Sequence, residues 1–363
     1  MKPPRKILVV ITQRIGDVLL STPLIRSLRR AWPQAQLEVL VFVGTEGVLR
    51  GNPDIDRIIS VPPRMSLGRN LKLLAGLWRK YDLSLSLMAG DRPTLYAFAA
   101  GRRSLGLLPP DDKYKWKRSL LSKWLEFDDI GTHTVLMDLK LVEALGVEPC
   151  YEVVVGWQPE DEQQLARLLP FYASQACAVL HVYPMYAYKM WRNEAWAELA
   201  QWLRAQGLRV VLTGGKAPDE MAYIERLLPS LPADTVNLSG QIGLGAVACL
   251  LSRARAYVGP DTAVTHLAAA LGIPVVALFG PSNPVKWGPW PSGYAQPANP
   301  WQMQGSQRVN NVALLQGGGD CVPCMEEGCE RNNASLSECL QRLPATEVIA
   351  ALQQLMAQNS AKP

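Results

Sequence analysis

The sequence predicts an α/β protein made of two doubly wound parallel sheets, each with its own helices. Three observations carry that reading. The chain has 363 residues, which at roughly 150 residues per domain is about two domains. Short, wholly apolar, β-branched runs alternate with segments of helical period, the signature of parallel strands covered on both faces. The same alternation then restarts after the polar stretch Gln158 to Gln163. Two such halves imply a cleft between them. The expected division is 1–165 for the first domain, 166–345 for the second and 346–363 for a C-terminal helix and tail.

In the first half, Lys6 to Ile11 (KILVVI) lacks polar alternation and reads as a buried strand. A helix follows from near Ile15-Gly16-Asp17, with Val18, Leu19, Leu24, Ile25 and Leu28 on its apolar side, until Pro33 ends it. Leu37 to Val43 is a second strand and Asp56 to Val61 a third. Leu71 to Tyr81 is a helix and Leu83 to Met88 a fourth strand. In the second half, strands are expected at Ala176 to Val182, Leu208 to Leu212, Thr235 to Leu238, Ala256 to Val258 and Val275 to Leu278. The helices between them are Trp196 to Gln206, Ala217 to Leu228, Leu244 to Ser252 and Ala263 to Leu271. Periodicity does not fix the strand order of such halves.

Composition narrows the function classes. Hydrophobic residues are 48% and charged residues 19% of the chain, which excludes a disordered or collagen-like protein. No apolar run reaches the ~20 residues of a bilayer helix. The basic N-terminus is followed by only five apolar residues, Ile7 to Ile11, too few for a signal peptide. Seven cysteines without an export signal point to a reducing cytosol. The net charge is only +5, but Arg102 to Lys123 holds seven bases (Arg102, Arg103, Lys113, Lys115, Lys117, Arg118, Lys123) against Asp111 and Asp112. That segment is expected to attract anions. No nucleic-acid reader motif accompanies it, so a phosphorylated or lipid-headgroup partner is expected rather than nucleic acid.

Three loops fall where α/β folds place ligands, after the carboxyl ends of strands. The first is Thr12 to Asp17, where Asp17 sits on the first helical turn, either as a cleft-facing carboxylate or simply as an acid favoured by the helix dipole. The second is Val258 to His266, where a helix start can bind phosphate but Asp261 and Thr262 are also ordinary caps. The third is His181 to Trp191, with Lys189 as a point charge. Thr213-Gly214-Gly215-Lys216 lacks the spacing and hydroxyl of a P-loop, though its glycines would admit a nucleotide base.

Four stretches together resemble the ADP-heptose:lipopolysaccharide heptosyltransferases of glycosyltransferase family 9. They are Gln13 to Pro23 (QRIGDVLLSTP), Lys189-Met190-Trp191, Leu238-Ser239-Gly240 and the long block Gly259 to Pro281. The resemblance covers nearly the whole chain, and the Asp-Thr-x-x-x-His block followed by Phe-Gly-Pro is its most specific part. It implies a GT-B fold, two Rossmann-like domains facing across a cleft, with the acceptor on the first and ADP-heptose on the second. It further implies inversion at the sugar without an essential metal. By this likeness Asp17 matches the general base, Lys189 the lysine that meets the diphosphate, and Asp261-Thr262-Ala263 the phosphate-cradling helix start. Glu220 matches an acid near the nucleoside and His266 a histidine beside the donor. Thr213, Gly214, Gly215 and Ile242 complete the expected donor set. The aromatic loop with Tyr183, Tyr186 and Tyr188 departs from the family's small hydroxyl residues, and Ala263 stands where Gly is common.

Arg14, Arg102, Arg103, Lys113, Lys115, Lys117 and Arg118 are the expected acceptor contacts, toward a phosphorylated lipid A-core lipopolysaccharide at the cytoplasmic face of the inner membrane. Trp116 and Trp124 would add peripheral contact with that membrane surface. Cys321-x2-Cys324-x4-Cys329-x9-Cys339 follows Gly317-Gly318-Gly319 and has two readings, a structural zinc or iron site or four metal-free thiols. Cys150, Cys177 and Cys249 read as core residues. The function expected is heptose transfer to the lipopolysaccharide inner core. The alternatives are a protein acceptor, a GT-B-shaped sugar-nucleotide epimerase and a non-catalytic nucleotide-sugar scaffold, and the presence of Asp17 favours an enzyme.

Overall fold

The computed structural model describes residues 2–171 and 174–360. The chain divides into two compact units, one running to Gly156 and taking in Ala295–Ala298, the other formed by Trp157–Tyr294 and the chain from Asn299 onward. The boundary therefore lies ahead of residue 165. The helix Pro159–Leu168, capped by a Gln158/Asp161 box, belongs wholly to the second unit. There Gln164 Nε2 donates to the Gln241 carbonyl at 2.9 Å and Glu162 pairs with Arg253.

Among the described residues the first unit holds six parallel strands: β1 Lys6–Ile11, β2 Gln36–Phe42, β3 Arg57–Val61, β4 Tyr81–Ser86, β5 Gly101–Leu108 and β6 Lys123–Glu126. Their order is β3-β2-β1-β4-β5-β6. Val9 at the centre lies opposite Val39 on one side and Leu85 on the other, so the apolar run of β1 is buried on both faces. Sequence reading missed β5 and β6. GRRSLGLL opens with glycine and two arginines and starts directly where the helix Asp91–Ala100 ends, so it carries no flanking turn signal. The helix expected after β1 is two, Ile15–Leu20 and Thr22–Ala31, broken at Ser21, because Pro23 lacks an N–H and opens the second.

The second unit contains β7 Cys177–His181, β8 Arg209–Thr213, β9 Val236–Asn237, β10 Ala256–Pro260, β11 Val275–Phe279, β12 Gln307–Val309 and β13 Val312–Gln316. The order is β12-β13-β11-β10-β7-β8-β9, parallel except for the β12–β13 hairpin. Apart from that edge strand, the second sheet repeats the strand order of the first. The C-terminal helix Ala345–Ser360 is not a separate appendage. Val348, Leu352 and Leu355 are buried in the same core as Ala178 and Leu180 of β7 and Leu199 of the helix Asn193–Ala205. The tail expected beyond it, residues 361–363, lies outside the described residues. Among the described residues no helix is long and apolar enough to cross a membrane.

Because Leu352 is fully buried, Leu352→Ala should cost about 2–5 kcal/mol through lost transfer energy and the cavity left behind. Denaturant unfolding of the second unit is the measurement, and an unchanged midpoint would contradict this packing.

Candidate active site

In both sheets the chain starts at an inner strand, winds to one edge, and returns to the other side of that strand. Ligands bind at such switch points, beyond the carboxyl ends of the two strands whose connections diverge. In the second unit those strands are β7 and β10, which are neighbours. The loop after β7 carries Lys189, on the short turn Ala187–Lys189. The loop after β10 carries Asp261 and leads to Thr262 at the start of the helix Ala263–Ala270.

Lys189 and Asp261 meet there. Nζ lies 2.5 Å from Asp261 Oδ2 and 3.4 Å from the Asp261 carbonyl oxygen, and both side chains are mostly buried. Burial opposes ionisation of Asp261, but Lys189, then His266 and Ser282, outweigh it and hold its carboxyl below the ordinary value. His266, one turn into the helix, is buried and its Nδ1 has no hydrogen-bond partner. Burial pushes its pKa down to about 4 against the pull of Asp261, so the ring is neutral at physiological pH. Thr262 does not cap the helix with its side chain. The helix start therefore presents backbone N–H groups and the positive end of the dipole beside a lysine, an arrangement suited to a phosphate.

Along the same sheet end, β8 leads into Gly214-Gly215. Glu220 folds back from the helix Pro218–Leu227 so that its Oε1 accepts from the Gly215 N–H at 2.7 Å. A Cβ on Gly214 would stand 2.7 Å from Glu220 Oε1 and 2.8 Å from Ser239 Oγ, so this close approach requires glycine. Burial raises the Glu220 pKa and the Gly215 bond partly offsets it. Thr213 is buried and its hydroxyl pairs with His181 Nδ1 at 3.1 Å, below the loop rather than in it. Ile242 is half-buried after Ser239-Gly240, whose Gly240 N–H donates to the Gly214 carbonyl at 3.0 Å.

In the first unit the switch lies between β1 and β4. Arg14, exposed, and Asp17, half-buried in the first turn of Ile15–Leu20, follow β1 there. Sequence reading missed the partner of Asp17. Asp138, on the helix Thr134–Glu143, is buried, and its pKa is driven well above the ordinary value by burial and then by the charge of Asp17. The signal was available: Asp138 shares the inward lane of its helix with Val135 and Val142.

The comparisons with known proteins bear on this geometry. The model of "Glycosyltransferase family 9 (heptosyltransferase)" matches residues 117–313, more than half of the chain. The chain belongs to glycosyltransferase family 9. Lipopolysaccharide heptosyltransferase 3 of Escherichia coli K12 is 24% identical over 95% of this chain and 96% of its own length. Lipopolysaccharide heptosyltransferase 1 of Pseudomonas aeruginosa is 27% identical, over 89% and 87%. Among solved structures, a family 9 glycosyl transferase of Veillonella parvula aligns with a TM-score of 0.79 at 20% identity, covering 98% of this chain and 97% of that one. E. coli heptosyltransferase WaaC with ADP aligns at 0.72 with 21% identity, covering 96% and 99%. The fold of this family 9 glycosyltransferase is thus GT-B, as its heptosyltransferase neighbours are.

In the expected acceptor set of this family 9 chain, part of the charge is used locally. Within the basic segment, Lys117 is buried, with Nζ donating to the Ala89 carbonyl at 2.6 Å and pairing with Asp91 at 2.5 Å. Arg118 donates to the Pro109 and Asp111 carbonyls and lies over the Trp124 ring at 4.4 Å. Both serve the local fold. Lys113 and Lys115 pair with Asp111 and Asp112, and Arg102 lies 4.0 Å from Asp82. Arg103 is half-buried on β5.

The cysteine loop has two readings, a metal site or four metal-free thiols. A more distant neighbour, the iron-containing dodecameric glycosyltransferase TibC of enterotoxigenic E. coli, aligns with a TM-score of 0.54 at 14% identity, over 99% of this chain and 78% of that one. Among the described residues no group of three or more His, Cys, Asp or Glu side chains is gathered closely enough to hold an ion, yet the charges of Cys324, Cys329 and Cys321 all act on the Cys339 thiol, whose pKa burial pushes up to about 11. Cys321 and Cys329 are exposed, Cys324 half-buried, and Cys339 is packed beneath Gly280. Cys329 Sγ instead accepts from the Glu338 N–H at 3.3 Å. What the loop does is hold the donor loops. Asn333 accepts from the Ala187 N–H at 3.2 Å, Met325 N–H donates to Pro281, and Gln341 Nε2 donates to the Met190 carbonyl at 2.8 Å.

A carboxyl with a raised folded pKa binds its proton more tightly when folded, so the protein loses stability as pH rises above the ordinary value of 3.8 toward the folded pKa. Asp138→Asn removes that loss. Its melting temperature relative to the parent should rise as pH increases above 3.8, and parallel pH profiles would show that the Asp138 pKa is not raised on folding.

Proposed function

We propose that this chain transfers a heptose from ADP-heptose to the inner core of lipopolysaccharide, with inversion at the anomeric carbon, at the cytoplasmic face of the membrane. The observation that carries the reading is the Lys189–Asp261 pair at the start of the helix Ala263–Ala270, at a sheet switch point. The names of the relatives supply the sugar and the acceptor class, and their numbering as heptosyltransferases 1 and 3 leaves the acceptor hydroxyl to experiment.

In this reading the diphosphate lies against Ala263 and the helix start, and Lys189 shares its ammonium between Asp261 and a phosphate oxygen. Gly214 and Gly215 let the nucleoside approach, with Glu220 fixing their backbone. Asp17 takes the proton of the acceptor hydroxyl as its oxygen forms a bond to the anomeric carbon. The bond from that carbon to the diphosphate oxygen breaks on the opposite face, and ADP leaves with the electron pair. Lys189 and the helix dipole stabilise the charge that develops on ADP, the preorganised electrostatics that usually contributes most. Neutral His266 brings no second cation to compete for it. Burial raises the Asp138 pKa and so opposes a second charge beside Asp17. The cysteine loop serves the donor side mechanically, through Ala187 and Met190.

Purified protein incubated with ADP-heptose, ADP-glucose or UDP-sugars and truncated lipopolysaccharide acceptors should release nucleotide and add one heptose only from ADP-heptose. Measurable ADP binding with no transfer to any acceptor would reject the reaction. Asp17→Asn should lower kcat by about 10²–10⁴ while ADP binding is kept, the usual contribution of a general base. Lys189→Met should weaken ADP binding roughly 10–100-fold, the worth of a charged hydrogen bond. An unchanged ADP affinity would remove Lys189 from the site.

A further inference from the structure

The helix Leu67–Leu77 in the first unit carries three lanes rather than two. The inner lane, Asn70, Leu73, Leu74 and Leu77, meets the core beside Tyr81 and Tyr96, and Asn70 Oδ1 accepts from the Tyr96 hydroxyl at 2.7 Å. A second apolar lane, Leu67, Leu71 and Ala75, points outward and leads to Trp78 at the helix end. Leu67 is 76% exposed, and Leu71 and Trp78 are each 56% exposed. Trp78 is braced there, edge-on to Phe98 at 6.2 Å and with the Arg79 guanidinium 5.2 Å from its ring. Lys72 borders this lane, and Arg69 lies further round the helix; both are exposed. From Arg57 to Lys80 there are six bases (Arg57, Arg64, Arg69, Lys72, Arg79, Lys80) and no acid.

A soluble surface has no use for such a lane. Exposed apolar residues in line on one helix, with the exposed cations Arg69 and Lys72 on the same helix, mark an interfacial helix. The partner must offer negative charge and an apolar interior a few ångströms beneath it. A nucleic acid offers the first without the second. We propose that this helix face, with Trp78, docks the protein on an anionic lipid bilayer surface. The assignment moves membrane contact from Arg102 to Lys123, where several cations are paired locally, to a helix whose Arg69 and Lys72 are exposed. It is independent of which sugar is transferred, since it rests only on this face.

The test is co-sedimentation of the full chain with phosphatidylglycerol/phosphatidylethanolamine vesicles, with phosphatidylcholine vesicles as the control. The parent should bind the anionic vesicles and release at high salt. The pair Leu67→Gln with Leu71→Gln, both exposed and therefore tolerated by the fold, should lose most of that binding. Because each cation near an anionic surface contributes roughly fivefold, Arg69→Glu with Lys72→Glu should weaken it by at least about 25-fold. Transfer to a soluble, delipidated acceptor should be unchanged in both variants. Vesicle binding as predicted without transfer from any donor would leave this assignment standing and reject the heptose reading alone. No binding by the parent, equal binding by the variants, or loss of self-association instead of vesicle binding would overturn it, the last assigning the face to a second copy of the chain.

Discussion

The handedness of parallel crossovers constrains everything else in this chain. A strand connected through a helix to a parallel neighbour must turn one way, so a sheet covered on both faces has to begin inside and wind outward in both directions. Both sheets do so, with β1 beside β4 and β7 beside β10. At that seam the flanking helices go to opposite faces. Two loops separated by 72 positions along the chain, those of Lys189 and Asp261, are thereby brought to 2.5 Å. The site is a consequence of winding order before any side chain is chosen.

The side chains chosen at the seam are poor choices for stability alone. A buried lysine–carboxylate pair gives up hydration that its mutual attraction only partly returns, and apolar residues of the same volume often do as well or better. The strands beneath, Val258, Leu180 and Val276, show that the sequence fills apolar space readily where nothing else is required. At Asp261 the carboxylate is kept ionised against burial, while at His266 burial prevails and the ring stays neutral. One helix start thus holds a fixed cation, a fixed anion and an uncharged donor or acceptor within a turn of each other. That is an electrostatic template set before a ligand arrives, and setting it during folding leaves less reorganisation for the moment of reaction.

Much of this was legible from sequence because parallel strands have to be apolar throughout. KILVVI, CAVLH and VVALF could be little else, and the loops after β1, β7 and β10 marked Asp17, Lys189 and Asp261 directly. The failures have physical causes. The strand GRRSLGLL was hidden because its polar half lies at the sheet's lower end, where arginines reach solvent, and because glycine at 101 is demanded by Ser84, whose Oγ would stand 2.2 Å from a Cβ there. Asp138 was passed over because helical patterns are scanned for apolar residues, and a carboxyl on the apolar lane looks like noise until a second carboxyl is found beside it. The four cysteines keep two readings, a metal site or metal-free thiols, because spacing fixes neither side-chain direction nor ligand geometry; the loop itself is fastened through its backbone, by the Asn333 and Met325 bonds.

Charge counted along a chain misleads for a related reason. The excess from Arg102 to Lys123 looked like an anion-attracting patch because only acids inside the segment were counted. Folding brings Asp82 to Arg102 and Asp91 to Lys117, and backbone carbonyls to Arg118, so part of that excess is spent on local structure. The segment from Arg57 to Lys80 has a similar excess and received no such acids from its own sequence. Its helix lies against the sheet through one lane only, and the strand before it, β3, is the edge of the sheet. An edge position leaves much of the helix to solvent, so Arg69 and Lys72 stay exposed, while Arg79 beyond its end is bound to the Gly101 carbonyl. Where a basic run sits in the sheet, more than how basic it is, decides whether its charge stays available to a partner.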